Sequence, residues 1–107
     1  MLQGSFRKVD VDGFNVFYRE AGSKGAPTIL LLHGFPSASH MFRDLIPLLA
    51  DRFHLVAPDL PGFGQSDKPA VTAHYFRFAS DAVVQLMDEL GIEKAHILGN
   101  SLGGGTV

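Results

Sequence analysis

The stretch Ala95-His96-Ile97-Leu98-Gly99-Asn100-Ser101-Leu102-Gly103-Gly104 decides how this chain is read. Residues 95–98 form a short apolar run bounded by turn residues, which predicts a strand. The run passes without a break into Gly99-x-Ser101-x-Gly103. A serine with glycines two before and two after fits a sharp strand-to-helix turn, where larger side chains would collide with the neighbouring strand and helix. Such a turn holds the serine in a strained backbone region and leaves its oxygen exposed above a sheet. Leu102 is then the first residue of a following helix. Its backbone N–H would face an anion lying beside the serine, assisted by the helix dipole.

Outward from that turn, the chain alternates strand and helix signals. Residues 6–11 and 14–19 alternate apolar and polar around the turn pair Asp12-Gly13, predicting an antiparallel hairpin. A loop over 22–27 leads to Thr28-Ile29-Leu30-Leu31-Leu32, continuous and apolar as a strand buried on both faces requires. Ser37 or Ser39 is placed to cap a helix over 40–46, with Pro47 limiting it. Residues 53–57 predict another short strand, and 59–69 a turn-rich segment containing Pro61, Gly62, Gly64 and Pro69. Phe76, Ala79, Val83, Leu86 and Leu90 then fall at helical spacing, with Gly91 where a left-handed cap is wanted. A hairpin followed by alternating strands and helices predicts an α/β fold: a mostly parallel sheet flanked by helices. Such a sheet carries its chemistry at the carboxyl ends of its strands.

Two carboxyl-end segments are unusual. One is Gly99–Gly104 with its serine. The other is His33-Gly34-Phe35-Pro36, which follows the Thr28–Leu32 run. A turn there can supply a second backbone donor to an oxyanion, from the Phe35 N–H, with Gly34 allowing the tight approach.

These segments, with Asp59-Leu60-Pro61-Gly62-Phe63-Gly64-Gln65-Ser66-Asp67 between them, resemble the amino-terminal portion of α/β-hydrolase-fold proteins over residues 9–107. The resemblance implies Ser101 as catalytic nucleophile and the Phe35 and Leu102 N–H groups as the oxyanion hole. It makes Gly34, Gly99 and Gly103 structural glycines of the site. Within the family, the His33–Pro36 and Pro61–Asp67 segments look most like the epoxide-hydrolase and haloalkane-dehalogenase branch. Those enzymes carry Asp at the nucleophile position; Ser101 here favours ester hydrolysis or a related acyl transfer. Asn100 before the serine resembles carbon–carbon bond hydrolases, although their glycine-richer oxyanion loop is not matched.

A serine hydroxyl needs a base to take its proton. The family's order is serine, acid, histidine, and Leu102–Val107 holds neither an acid nor a histidine. The chain therefore reads as the amino-terminal part of one domain, residues 1–107, truncated just after the nucleophile turn and inactive alone. The other reading is a non-catalytic α/β-hydrolase-like binding or remnant protein. Of the five histidines, His33 lies nearest the site and is expected to order its own turn by hydrogen bonding. His54 reads as a strand-entry residue, and His40, His74 and His96 as surface or element residues. Asp59 is expected to cap its turn. Residues 95–98, with no strand beyond them, would form an exposed edge.

Composition excludes several function classes. The chain has 107 residues, and nine Lys+Arg against eleven Asp+Glu leave a formal charge of −2. There is no basic field for nucleic acid or an anionic membrane surface. There is no cysteine, and no histidine pair has the spacing of a helical metal site, so neither metal nor cofactor is expected. Gly99-x4-Gly104-Gly105-Thr106 lacks the lysine of a phosphate-binding loop. No apolar stretch approaches the ~20 residues of a membrane span. The expected partner is a small carbonyl substrate, and the expected compartment the cytoplasm.

Overall fold

Apolar runs of four or five residues are too short for stable helices but long enough for strands that neighbours cover on both sides. In the computed structural model, which describes residues 5–11, 14–34, 38–68 and 75–99, three such runs and the two longer hairpin strands assemble into one five-stranded sheet. The strands are β1 (Ser5–Val11), β2 (Phe14–Ala21), β3 (Thr28–Leu32), β4 (His54–Pro58) and β5 (His96–Gly99). Their spatial order is β1-β2-β4-β3-β5. β1 and β2 pair antiparallel as the predicted hairpin, and β2 joins β4 antiparallel. The pairs β3–β4 and β3–β5 are parallel. The α/β expectation is met: an opening hairpin leads into a parallel sheet with helices on both faces.

The period-two alternation of β3 divides the core into two layers. Leu30 and Leu32 join Val16, Tyr18, Val56 and Leu60 beneath Val83 and Leu86 of α2 (Tyr75–Glu89). On the opposite face, Leu31 joins Leu55 and Ala57 under Phe42 and Ile46. Leu30, Leu31, Leu55 and Leu86 are wholly buried. Complete burial of each such side chain contributes about 1.5–3 kcal/mol, and these contacts with distant elements hold the short strands in place.

The predicted helix over 40–46 forms differently. A 3-10 turn at Ser39–Phe42 is followed by a separate α1 (Leu45–Leu49). Pro47 lies inside α1, in its first turn, where the backbone N–H it lacks has no intrahelical partner to lose. Ser39 does not cap with its side chain; its Oγ accepts from Arg19 Nε at 2.9 Å instead. Ser37 and the turn pair Asp12-Gly13 lie outside the described residues.

The end of α2 follows its sequence signal closely. Gly91 has φ of +70°, the Gly91 N–H donates to Asp88 O at 3.1 Å, and the Ile92 N–H donates to Met87 O at 2.9 Å. This is a Schellman closure, with Ile92 and Met87 both packed on the apolar layer beneath α2. It turns the chain back toward β5, where Ile97 is 47% and Leu98 46% exposed. β5 pairs only with β3 among the described residues, so the expected exposed edge is present.

Candidate active site

β3 and β5 run parallel side by side, and Leu32 is the register partner of Gly99. The chain therefore leaves both strands at paired positions on one edge of the sheet. Gly34 and Gly99 are described, the first buried and the second exposed. Phe35, Ser101, Leu102 and Gly103 lie outside the described residues, as does His74.

His33 is completely buried and both of its ring nitrogens are engaged. The Leu60 N–H donates to Nε2 at 2.9 Å, so Nε2 carries the lone pair and Nδ1 the proton. Nδ1–H donates to Gly34 O at 2.8 Å. The Phe63 ring closes one side of the imidazole edge-on, with ring centroids 5.4 Å apart. Burial pushes the His33 pKa below its ordinary 6.5, outweighing the Gly34 carbonyl and the Asp59 charge, which act upward. A neutral ring with its lone pair already occupied is no general base. The expectation that His33 orders its own turn holds.

Asp59, at the carboxyl end of β4, is equally committed. Its Oδ1 accepts from the Ser39 N–H at 2.7 Å and its Oδ2 from the Gln65 N–H at 2.9 Å. A Cβ on Gly64, where φ is +53°, would collide with that carboxylate, so the glycine admits the cap. Ser66 Oγ donates to Asp59 O at 2.6 Å and accepts from the Phe17 N–H at 2.9 Å. Asp67 Oδ2 accepts from the Asn15 N–H at 2.9 Å. The segment 59–67 is thus a polar strap that ties β2 to the exit of β4. Tyr75 finishes it: its hydroxyl donates to Pro61 O at 2.6 Å, and burial pushes its pKa up to about 12.

Sequence reading missed one buried cluster away from the strand exits. His54 Nε2 lies 2.6 Å from Glu20 Oε2, and its Nδ1 3.0 Å from Thr28 Oγ1. His54 is a strand-entry residue as expected, but its partners sit 34 and 26 positions earlier and leave no local signal. His40 and His96 are exposed, as expected.

With this topology in place, the profile of the α/β hydrolase fold matches residues 27–107. The chain belongs to the α/β hydrolase fold family. It is 56% identical over 83% of its length to an uncharacterized hydrolase of Saccharomyces cerevisiae, covering 31% of that protein. It is 39% identical over 91% of its length to epoxide hydrolase A of Mycobacterium tuberculosis, again covering 31%. A crystal structure of a haloalkane dehalogenase loop variant from Bradyrhizobium elkanii superposes with a TM-score of 0.87. That match has 40% identity and covers 94% of this chain and 33% of the other. The chain thus spans about a third of the length of these α/β hydrolase relatives, and its resemblance to the epoxide-hydrolase and dehalogenase branch holds. No described helix is long and apolar enough to cross a membrane.

Proposed function

We propose that these residues form the amino-terminal part of a hydrolase that uses Ser101 to attack a carbonyl carbon. The observation that supports this reading is the register of Leu32 with Gly99, the residues that immediately precede the His33–Pro36 and Asn100–Gly103 segments in the sequence. In the reaction, a histidine base removes the Ser101 proton as Oγ bonds to the carbonyl carbon. The resulting oxyanion accepts from the Phe35 and Leu102 N–H groups. Collapse expels the leaving group with the proton from the histidine, and water then releases the acyl group by the same steps in reverse order. Each oxyanion donor is worth roughly 10²–10³ in rate. The family's chain order places an acid and a histidine after the nucleophile, and Leu102–Val107 holds neither, so on this reading no turnover is expected from the 107 residues alone.

Serine rather than aspartate sets the substrate class. A carboxylate nucleophile displaces a halide or opens an epoxide without losing a proton, whereas a serine hydroxyl suits carbonyl attack with a base. Epoxides and haloalkanes, which the names of several relatives imply, are therefore poor substrates in this reading. The test is a panel of p-nitrophenyl esters, styrene oxide and 1-bromobutane, offered to the full-length protein carrying these residues. Ester turnover is expected, falling by at least about 10³-fold in Ser101→Ala. Release of halide or diol with the esters left intact would contradict it.

A further inference from the structure

Thr28 and His54 open β3 and β4 and are register partners, at the far end of these strands from Leu32 and Pro58. With Glu20 of β2 they form a buried polar row across three strands. Thr28 and His54 also line a cavity of about 330 Å³, together with Lys24, Glu93 and Lys94. Both lysines are exposed, and neither makes an ion pair among the described residues. Two cations against one carboxylate leave this lining positive, over a floor that holds a hydroxyl and an imidazole. We propose that the cavity binds a small inorganic oxyanion of the sulfate or phosphate class, and that binding takes up a proton at His54. The site is independent of the serine-hydrolase reading and lies at the opposite ends of the strands.

The coupling lies in the direction of two hydrogen bonds. The Glu20 carboxylate accepts from His54 Nε2–H at 2.6 Å, which leaves Nδ1, 3.0 Å from Thr28 Oγ1, to set the second bond. On the neutral imidazole Nδ1 is an acceptor and takes the Thr28 hydroxyl proton. On the imidazolium Nδ1 donates to Oγ1, and the hydroxyl proton is free to point into the cavity. An oxyanion there accepts from that hydroxyl and from Lys24 and Lys94, in charge-assisted bonds. The charged groups around the imidazole are Glu20 from β2, Lys24 from the loop before β3, and Glu93 and Lys94 from the segment after α2. Tyr18, beside Glu20, is held neutral by burial and by the Glu20 charge. The exposed Asp51–Arg52 pair ahead of β4 balances its own charge. Glu20 offsets the imidazolium charge, and a ligand that favours the imidazolium binds more tightly as pH falls.

Calorimetric titration of the full-length protein carrying these residues with sodium sulfate, at constant ionic strength, tests the site. Binding to a single site is expected, with an affinity that rises at least about tenfold from about pH 8 to about pH 6, where sulfate itself does not titrate. Titrations in two buffers of different ionisation enthalpy are expected to show proton uptake on binding. Lys24→Ala and Lys94→Ala, both at exposed positions, are each expected to weaken binding about tenfold. Thr28→Val keeps the shape of the side chain without its hydroxyl, and is expected to cut both the proton uptake and the pH dependence. Sulfate binding that both lysine variants leave unchanged would overturn the proposal. So would binding without proton uptake in the wild type, or the absence of binding by sulfate and by phosphate alike.

Discussion

Asp59, His33 and Tyr75 are side chains whose chemistry is wholly used up inside the fold. Asp59 is 2% exposed and caps two backbone amides, those of Ser39 and Gln65. Removing the carboxylate strands both donors, each at about 1–3 kcal/mol, so Asp59→Ala is expected to lower the urea midpoint strongly. His33 and Tyr75 set opposite pH limits. The folded His33 pKa lies below 6.5, so below 6.5 the unfolded chain binds a proton that the folded one refuses. Its contribution is complete above 6.5 and declines as pH falls beneath it. The Tyr75 hydroxyl is held protonated to about 12, against an ordinary 10. The unfolded chain ionises first, and stability declines as pH rises through 10. Thermal melts across pH are expected to show both limits, with Tyr75→Phe reducing the alkaline one, to which Tyr18, pushed up by burial and Glu20, also contributes; an unchanged alkaline limb in that variant would contradict the assignment.

At the scale of elements, what could be read locally was read. The run Thr28–Leu32 and the 3-4 spacing up to Leu90 carry their burial in their own composition. The Gly91 cap is likewise local. Its missing Cβ would meet nothing within 4 Å, so Gly91→Ala is expected to cost only the left-handed conformation, about 1–2 kcal/mol by urea denaturation. What could not be read depends on distant partners. Ser66 and Asp67 bind β2 amides 49 and 52 positions away, and the Leu60 amide reaches His33 across 27. The break between the 3-10 turn and α1 was also hidden, because Pro47 is as compatible with the first turn of a helix as with the end of one. The turn-ordering parts of His33 and Asp59 were legible; the His33 tautomer was not, since its second partner is a backbone N–H with no sequence signature. The same holds for Glu20 and His54. His54→Ala would leave the buried Glu20 carboxylate without its hydrogen-bond partner, with an expected loss of about 1–3 kcal/mol in chemical denaturation. Replacing both residues by apolar ones should recover much of it.

On the scale of the whole molecule, the sheet separates two apolar layers and brings β3 and β5 out on the same edge. That arrangement brings two strand exits more than sixty positions apart, at Leu32 and Gly99, side by side. It also places Ile97 and Leu98 on an exposed strand that pairs only with β3 among the described residues, an edge that can template association with another chain. Prepared as these 107 residues alone, the protein is expected to self-associate, and Leu98→Lys to reduce the associated fraction in light scattering. A monomer unaffected by the substitution would contradict that use of the edge. The central claim is the nucleophile. Treating the full-length protein with a fluorophosphonate and mapping the adduct by peptide mass spectrometry tests it most directly. The account predicts one covalent adduct, on Ser101, lost in Ser101→Ala. An active protein that carries no adduct at Ser101 would contradict it.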